Sequence, residues 1–266
     1  MAGLIILVLF LAMALFAIFG DDAGVDPSRT FGPVLAPPSR DYPFGTNDLG
    51  ISVLTLVVQG SKISLLVGLT ATVLSMTIGA AVGVIAGYRG GGVDNLLMRV
   101  TDFGLVLPWL ALAIVLASLI GQSLGAIILV IGVTSWPATA RLVRAQVLSI
   151  RERPYIERAK ALGGSNTHMI VRHVLPNAMP VILANTILTI AIAILSETAL
   201  SFLGLGDPTK PSWGTILEDA FSAGATTLGA WWWIAAPGVC ITLVVLAFTM
   251  CGFAMDEIIN PRLKNR

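Results

Sequence analysis

The sequence predicts an all-α polytopic membrane protein, and three observations carry that reading. Hydrophobic residues make up 56% of the 266 positions and charged residues only 12%, against about 25% charged in soluble domains. Mean hydropathy is +0.87 over the whole chain. Apolar runs near the ~20 residues that cross a bilayer recur along the chain, with basic residues gathered between them. No alternating strand pattern, nucleic-acid motif or metal-ligand spacing of Cys and His accompanies them.

Six runs are expected to span: residues 4–19, 63–88, 103–120, 124–140, 181–202 and 231–254. The first, residues 1–20, lacks the basic leader and short apolar region of a cleaved signal, so it is read as an uncleaved helix, with a misassigned start the alternative. Residues 21–62 form an extracytoplasmic segment, and residues 63–266 the core. Lys and Arg resist translocation. With both termini in the cytoplasm, Arg89, Arg99, Arg141, Arg144, Arg151, Arg153, Arg158, Lys160, Arg172, Arg262, Lys264 and Arg266 lie inside, and only Arg29, Arg40, Lys62 and Lys210 outside.

In the second run, Gly79, Gly83 and Gly87 recur every four positions, leaving a groove into which another backbone can settle. An internal helix is the preferred partner, and a second subunit the alternative. Asp102 is expected to open the third span, where an acid favours the helix N-terminus. Pro137 is expected to kink the fourth span near its cytoplasmic end.

Residues 151–177 form the polar stretch between the fourth and fifth runs. Pro154 suits a first helical turn, and Gly163-Gly164 ends that helix. Ser165 then caps a second short helix, which Pro176 is expected to close. Five cations, Arg151, Arg153, Arg158, Lys160 and Arg172, keep this hairpin in water. On pattern alone it could be an ordinary basic loop that only fixes topology.

Glu197 is the one acid well inside a span, with Ser201 four residues on and on the same face. Such a group either lines a translocation path or makes a buried polar helix contact. Cys240 and Cys251 lie about 16 Å apart along one helix, too far to bridge, and are read as buried small hydrophobes. The chain has no G-x-x-x-x-G-K-[ST] phosphate loop, so it is not expected to hydrolyse ATP; no catalytic or metal residues are assigned.

Specific motifs extend this reading. Glu157-Arg158-Ala159 stands six positions before Gly163, which stands thirteen before the proline of Leu175-Pro176. Added to these are Tyr42-Pro43-Phe44-Gly45-Thr46-Asn47-Asp48-Leu49-Gly50, Gly87-Tyr88-Arg89-Gly90-Gly91, Arg172-His173-Val174-Leu175-Pro176-Asn177, Leu200-Ser201-Phe202-Leu203-Gly204-Leu205-Gly206, Pro211-Ser212-Trp213-Gly214, Pro237-Gly238 and Asn260-Pro261-Arg262. Together they resemble the C-type subunit of the dipeptide, oligopeptide and nickel permeases of ABC importers, over nearly the whole chain. The chain departs from that pattern where Arg158 stands for the usual alanine, Asn47 for aspartate, Ile51-Ser52 for Arg-Asp, Gly252-Phe253 for a Gly-Asp pair, and Asn260 for the aspartate before Pro261.

The resemblance implies a type I ABC importer permease fold with a cytoplasmic coupling-helix (EAA) loop. Glu157, Arg158, Ala159, Gly163, Leu175 and Pro176 would meet the ATPase. Phe202, Gly204, Gly206 and Trp213 would contribute to an outer gate, and Glu197 and Ser201 would line the path. Implied partners are a paralogous B-type permease forming a heterodimer, two ATP-binding-cassette nucleotide-binding domains, an extracytoplasmic substrate-binding protein and membrane lipid, but no nucleic acid. The chain itself would bind no cofactor, ATP and Mg residing on the ATPase subunits. The implied place is the inner or plasma membrane, and the implied cargo a dipeptide or short oligopeptide. Alternatives are nickel or another small solute, an ATPase-independent channel, or a membrane-embedded enzyme using Glu197.

Overall fold

The computed structural model describes residues 1–19 and 32–259. Arg29, Asn260, Pro261, Arg262, Lys264 and Arg266 lie outside the described residues. The elements are α1 (Ala2–Phe19), α2 (Val53–Arg89), α3 (Gly91–Val106), α4 (Trp109–Ile120), α5 (Leu124–Arg151), α6 (Pro154–Ala161), α7 (Asn166–Met169), α8 (Leu175–Leu200), α9 (Trp213–Ser222) and α10 (Trp231–Ile259). Among the described residues, five helical stretches are long and apolar enough to cross a bilayer, or six if the bent pair α3–α4 counts as one span. Exposed Leu, Ile, Val and Phe cover much of the surface, as lipid-facing helices require.

The helices fold into two compact units, with α2, α4, α5, α8 and α10 each contributing residues to both. One unit takes residues 1–70, 114–128 and 190–251. In it, α1 packs on α10 through Gly3, where a Cβ would lie 3.0 Å from both the Ala247 carbonyl oxygen and Met250 Cβ. The Phe10 ring meets Trp213 edge-on at 5.7 Å. The segment before α2 folds over itself. Thr46 Oγ1 donates to the Pro33 carbonyl and accepts from the Ala36 amide, while Asn47 Oδ1 accepts from the amides of Leu49 (3.1 Å) and Ile51 (2.7 Å). Asn47 thus supplies the side-chain acceptor that an aspartate would supply there. Trp232 Nε1 closes the loop by donating to the Thr46 carbonyl at 3.1 Å.

The other unit takes residues 71–113, 129–189 and the end of α10 from 252. The stripe of small residues on α2 packs against α5. A Cβ at Gly79 would lie 2.7 Å from Thr139 Cβ, one at Gly83 2.6 Å from the Ala140 carbonyl oxygen, and one at Gly87 2.9 Å from Val147 Cβ. The groove's partner is therefore internal. Arg144 on α5 grips Asp94 of α3 with Nε and one terminal nitrogen, both at 2.6 Å, in a fork that suits a carboxylate.

Four sequence expectations need correction. The third span is not one helix: α3 and α4 meet at 90°, because Pro108 disfavours helical backbone at Leu107, which is extended (φ −68, ψ 133). Asp102 does not open a helix. Since Gly90 turns the chain with φ +67, α3 starts at Gly91, leaving Asp102 in its later turns, where Arg141 pairs with it at 2.6 Å. The second span's helix begins at Val53, ten residues before position 63. Pro176 does not close a short helix either. Helix runs on from Asn166 to Leu205, and a π-turn at Ile170–Val174 precedes the proline. Its wider hydrogen-bond ring is a known way for a helix to absorb an irregularity without ending.

Candidate functional site

The hairpin between α5 and α8 is built by local rules. Pro154 stands in the first turn of α6, and Glu157 supplies the acid that the helix N-terminus favours. At the other end the Gly164 amide donates to Ala159 O (3.2 Å) and the Gly163 amide to Lys160 O (2.9 Å), with Gly163 at φ +87. That pair of bonds is a Schellman cap, whose left-handed position strongly favours glycine. Ser165 Oγ then accepts from the His168 amide and starts α7, as the sequence indicates.

One face of the hairpin is sunk in the protein. Ile156, Met169, Val174 and Ala178 are fully buried with Tyr88, Val143, Val147 and Ile150, and Ala159 and Leu175 pack against that cluster. Lys160 holds its ammonium 5.0 Å from the centre of the Tyr88 ring. The other face is open: Glu157, Arg158, Gly163 and Pro176 are exposed, as are Tyr155, Val171 and Leu162, the last 89% exposed. Apolar side chains held out on a polar, basic hairpin are characteristic of a docking face. His168 and His173 stack edge-on at 5.7 Å beside Tyr155. The buried face thus fixes the hairpin to α2 and α5.

The other sequence-marked residues meet in the first unit. Glu197 is 1% exposed. Its Oε1 accepts from Ser201 Oγ at 2.8 Å and its Oε2 from Ser64 Oγ at 3.0 Å. Ser64 Oγ accepts in turn from the Trp213 amide at 3.1 Å, and Trp213 Nε1 donates to the Val57 carbonyl at 2.9 Å. One carboxyl thus ties α8 to α2, and through Ser64 to the start of α9. A Cβ at Gly206 would lie 3.0 Å from Ser201 Oγ, and one at Gly214 2.7 Å from Ser201 Cβ. Ser212 caps α9 reciprocally with Thr215. Gly204 takes φ +77 inside a second π-turn, Ser201–Leu205, and its carbonyl accepts from Gln122 Nε2 at 2.6 Å. Phe202 is not part of this cluster; it projects outward and stacks on Phe221 at 5.7 Å.

Ser64, Gln122 and Val57 are the members the sequence reading missed. Ser64 lies 133 positions from Glu197, in a run already polar enough through Gln59, Ser61 and Lys62 to hide it. Among the described residues, no group of three or more His, Cys, Asp and Glu could hold a metal ion.

Residues 79–265 match the family model of the binding-protein-dependent transport system inner membrane component. This chain belongs to that family. The matched region includes the hairpin, Glu197 and Trp213. The Bacillus subtilis (strain 168) dipeptide transport system permease protein DppC is 37% identical over 267 residues, covering 99% of this chain and 82% of that protein. The oligopeptide permease OppC of the same strain is 35% identical over 266 residues, covering 99% and 86%. The di/tripeptide permease DppC of Pseudomonas aeruginosa (strain UCBPP-PA14) is 35% identical over 273 residues, covering 100% and 88%. Among solved structures, the inward-facing MetNI methionine ABC transporter superposes with a TM-score of 0.62 at 20% identity, covering 77% of this chain and 95% of that chain. That likeness bears on the fold: it is that of an ABC importer permease.

Proposed function

We propose that this chain is one of two permease subunits of an ABC importer for dipeptides or short oligopeptides, and that residues 154–176 receive the stroke of a separate ATPase. The hairpin carries the reading: an exposed face bearing Glu157, Arg158, Leu162 and Gly163 is fixed to α2 and α5 by the fully buried Ile156 and Met169. Peptide cargo is supported by the names of the full-length relatives. The distribution of Lys and Arg supports a topology with both termini and the hairpin in the cytoplasm and the segment before α2 outside.

In this mechanism the nucleotide-binding domains close on ATP and Mg and draw the hairpins of the two permeases together. The sunk face passes that movement to α2 and α5, whose glycine-lined contact leaves little slack. A binding protein delivers the peptide outside, where the π-turn at Gly204, with Phe202, Gly206 and Trp213, forms the outer gate. The Glu197 carboxyl holds that segment to α2, and Ser201 lies at the border of the path. ATP shifts the bundle only because its subunits bind the two states unequally.

The test is to purify the tagged chain in mild detergent with its paralogous permease and ATPases, and to follow ATP turnover with peptide-loaded binding protein. Co-purification and peptide-stimulated turnover are expected. A chain that binds no ATPase when one is supplied overturns the reading.

A further inference from the structure

Where α2 ends and α3 begins, the second unit has an open hollow of about 810 Å³, lined by Tyr88, Arg89, Gly90, Arg151, Lys160 and Asn166. Three cations face it. Arg151 donates to the last carbonyls of α2, Gly87 (3.3 Å) and Tyr88 (3.1 Å), so its guanidinium is held in place without being neutralised. Lys160 is held over the Tyr88 ring in the same way. Among the described residues none of the three is paired with a carboxylate; Asp94, in the first turn of α3, is bonded by Arg144 and acted on by Arg151 only through space. Like charges gathered round one hollow repel, and an anion placed there relieves all three at once.

Gly92, Val93 and Leu96 complete the lining, and the last two begin an apolar stripe. At 100° per residue, Val93, Leu96, Val100 and Phe103 fall on one side of α3, opposite the buried Asp94 and Thr101. All four are exposed, Leu96 by 65% and Phe103 by 68%. The hollow lies at the end of α2, which is long and apolar enough to cross a membrane, and the stripe leads away from it. An acidic protein segment would use the cations but not the stripe, whereas a phospholipid uses both.

We propose that this hollow binds the phosphate of an anionic phospholipid, with Arg89, Arg151 and Lys160 as its ligands and the Val93–Phe103 stripe carrying the acyl chains. Because Lys160 belongs to α6 and Arg89 to the end of α2, a bound headgroup ties the hairpin to the bundle. The site requires only that the chain be embedded in a membrane, and holds whatever solute is carried.

The test uses the assembled complex, stripped of native lipid by detergent exchange and offered dioleoylphosphatidylglycerol or dioleoylphosphatidylcholine, with retained lipid read by native mass spectrometry. One phosphatidylglycerol per chain and no phosphatidylcholine is expected. Arg89→Gln with Lys160→Gln should weaken retention about 30-fold, from roughly 1 kcal/mol per basic residue. Both side chains are exposed, so folding should survive, and an unchanged melting midpoint checks this. Leu96→Gln, which removes apolar surface without adding charge, should weaken phosphatidylglycerol but leave inorganic phosphate binding unchanged. Equal retention of the two lipids, or retention indifferent to the double substitution, overturns the proposal. So does full displacement by millimolar inorganic phosphate, which would make the site one for the free anion. Loss of the lipid on ATPase binding, with an acidic ATPase residue crosslinking to Lys160, would give the hollow to the protein partner and overturn it too.

Discussion

Replacing Gly83 by alanine should loosen the α2–α5 contact by an amount the geometry sets. The new Cβ would lie 2.6 Å from the Ala140 carbonyl oxygen, 2.8 Å from Val143 Cβ and 3.0 Å from the Arg144 amide nitrogen. Two of these are backbone atoms of a helix and cannot swing aside. Restoring ordinary contact distances near 3.5 Å separates the helices locally by about 0.8 Å, and a gap of that size forfeits a quarter to a half of each atom pair's attraction. Gly79 and Gly87 lie in the same interface and lose contact with it. Summed over ~20 atom pairs at 0.1–0.2 kcal/mol each, with residual strain, the loss is about 1–3 kcal/mol. Alanine's better helix propensity returns at most about 1 kcal/mol. The expected net destabilisation of about 1–2 kcal/mol is readable as reversible unfolding in mixed micelles of rising SDS content. Gly238→Ala is the control, because nothing lies within 4 Å of its added Cβ; it should be neutral or mildly stabilising. A Gly83→Ala chain as stable as the parent would refute the close-packing account.

Other outcomes follow from the same geometry. Glu197→Leu leaves the Ser64 and Ser201 hydroxyls without their acceptor in a buried site and should cost about 1–3 kcal/mol, with increased proteolysis around Trp213; unchanged stability and cleavage would deny the tie. Asn47→Asp keeps the acceptor of the Leu49 and Ile51 amides and should leave stability within about 0.5 kcal/mol, whereas Asn47→Ala should lose about 1–2 kcal/mol, both read by thermal unfolding. Asp207 is held below the usual carboxylate range first by the Thr209 hydroxyl and then by its amide. Because its pKa is depressed on folding, the turn it makes should be fully present above about pH 3.9 and lost only as pH falls through the lower folded value. Carboxyl NMR should give a midpoint below the ordinary aspartate value, and a midpoint at or above that value would contradict the bond.

Much of this architecture was legible because each signal is local. Apolar runs mark the spans, Gly163 marks the elbow that requires a left-handed residue, and Ser165 marks the cap. The small-residue stripe announced a close contact but not its owner, since a groove carries no record of what fills it. Pro108 lies inside an apolar run, where hydropathy is blind to the backbone preference of the preceding residue. Pro176 looks like a stop in sequence, but a π-turn upstream accommodates it. The Glu197 cluster was half visible: Ser201 sits one helical turn away, but Ser64 reaches it only through the tertiary fold. The departure at Asn47 became intelligible once its side chain was seen to need only an acceptor oxygen.

The most direct measurement is the number of peptides taken up per ATP hydrolysed, in vesicles holding the assembled importer with wild-type, Gly163→Asn or Gly163→Pro chains. Gly163 has φ +87 and donates its amide to Lys160. Asparagine tolerates the left-handed region, while proline can neither adopt it nor donate. Coupled uptake should survive in Gly163→Asn and collapse in Gly163→Pro, with the protein still inserted and ATP still turned over. An unaltered ratio in Gly163→Pro would contradict the claim that this hairpin carries the stroke.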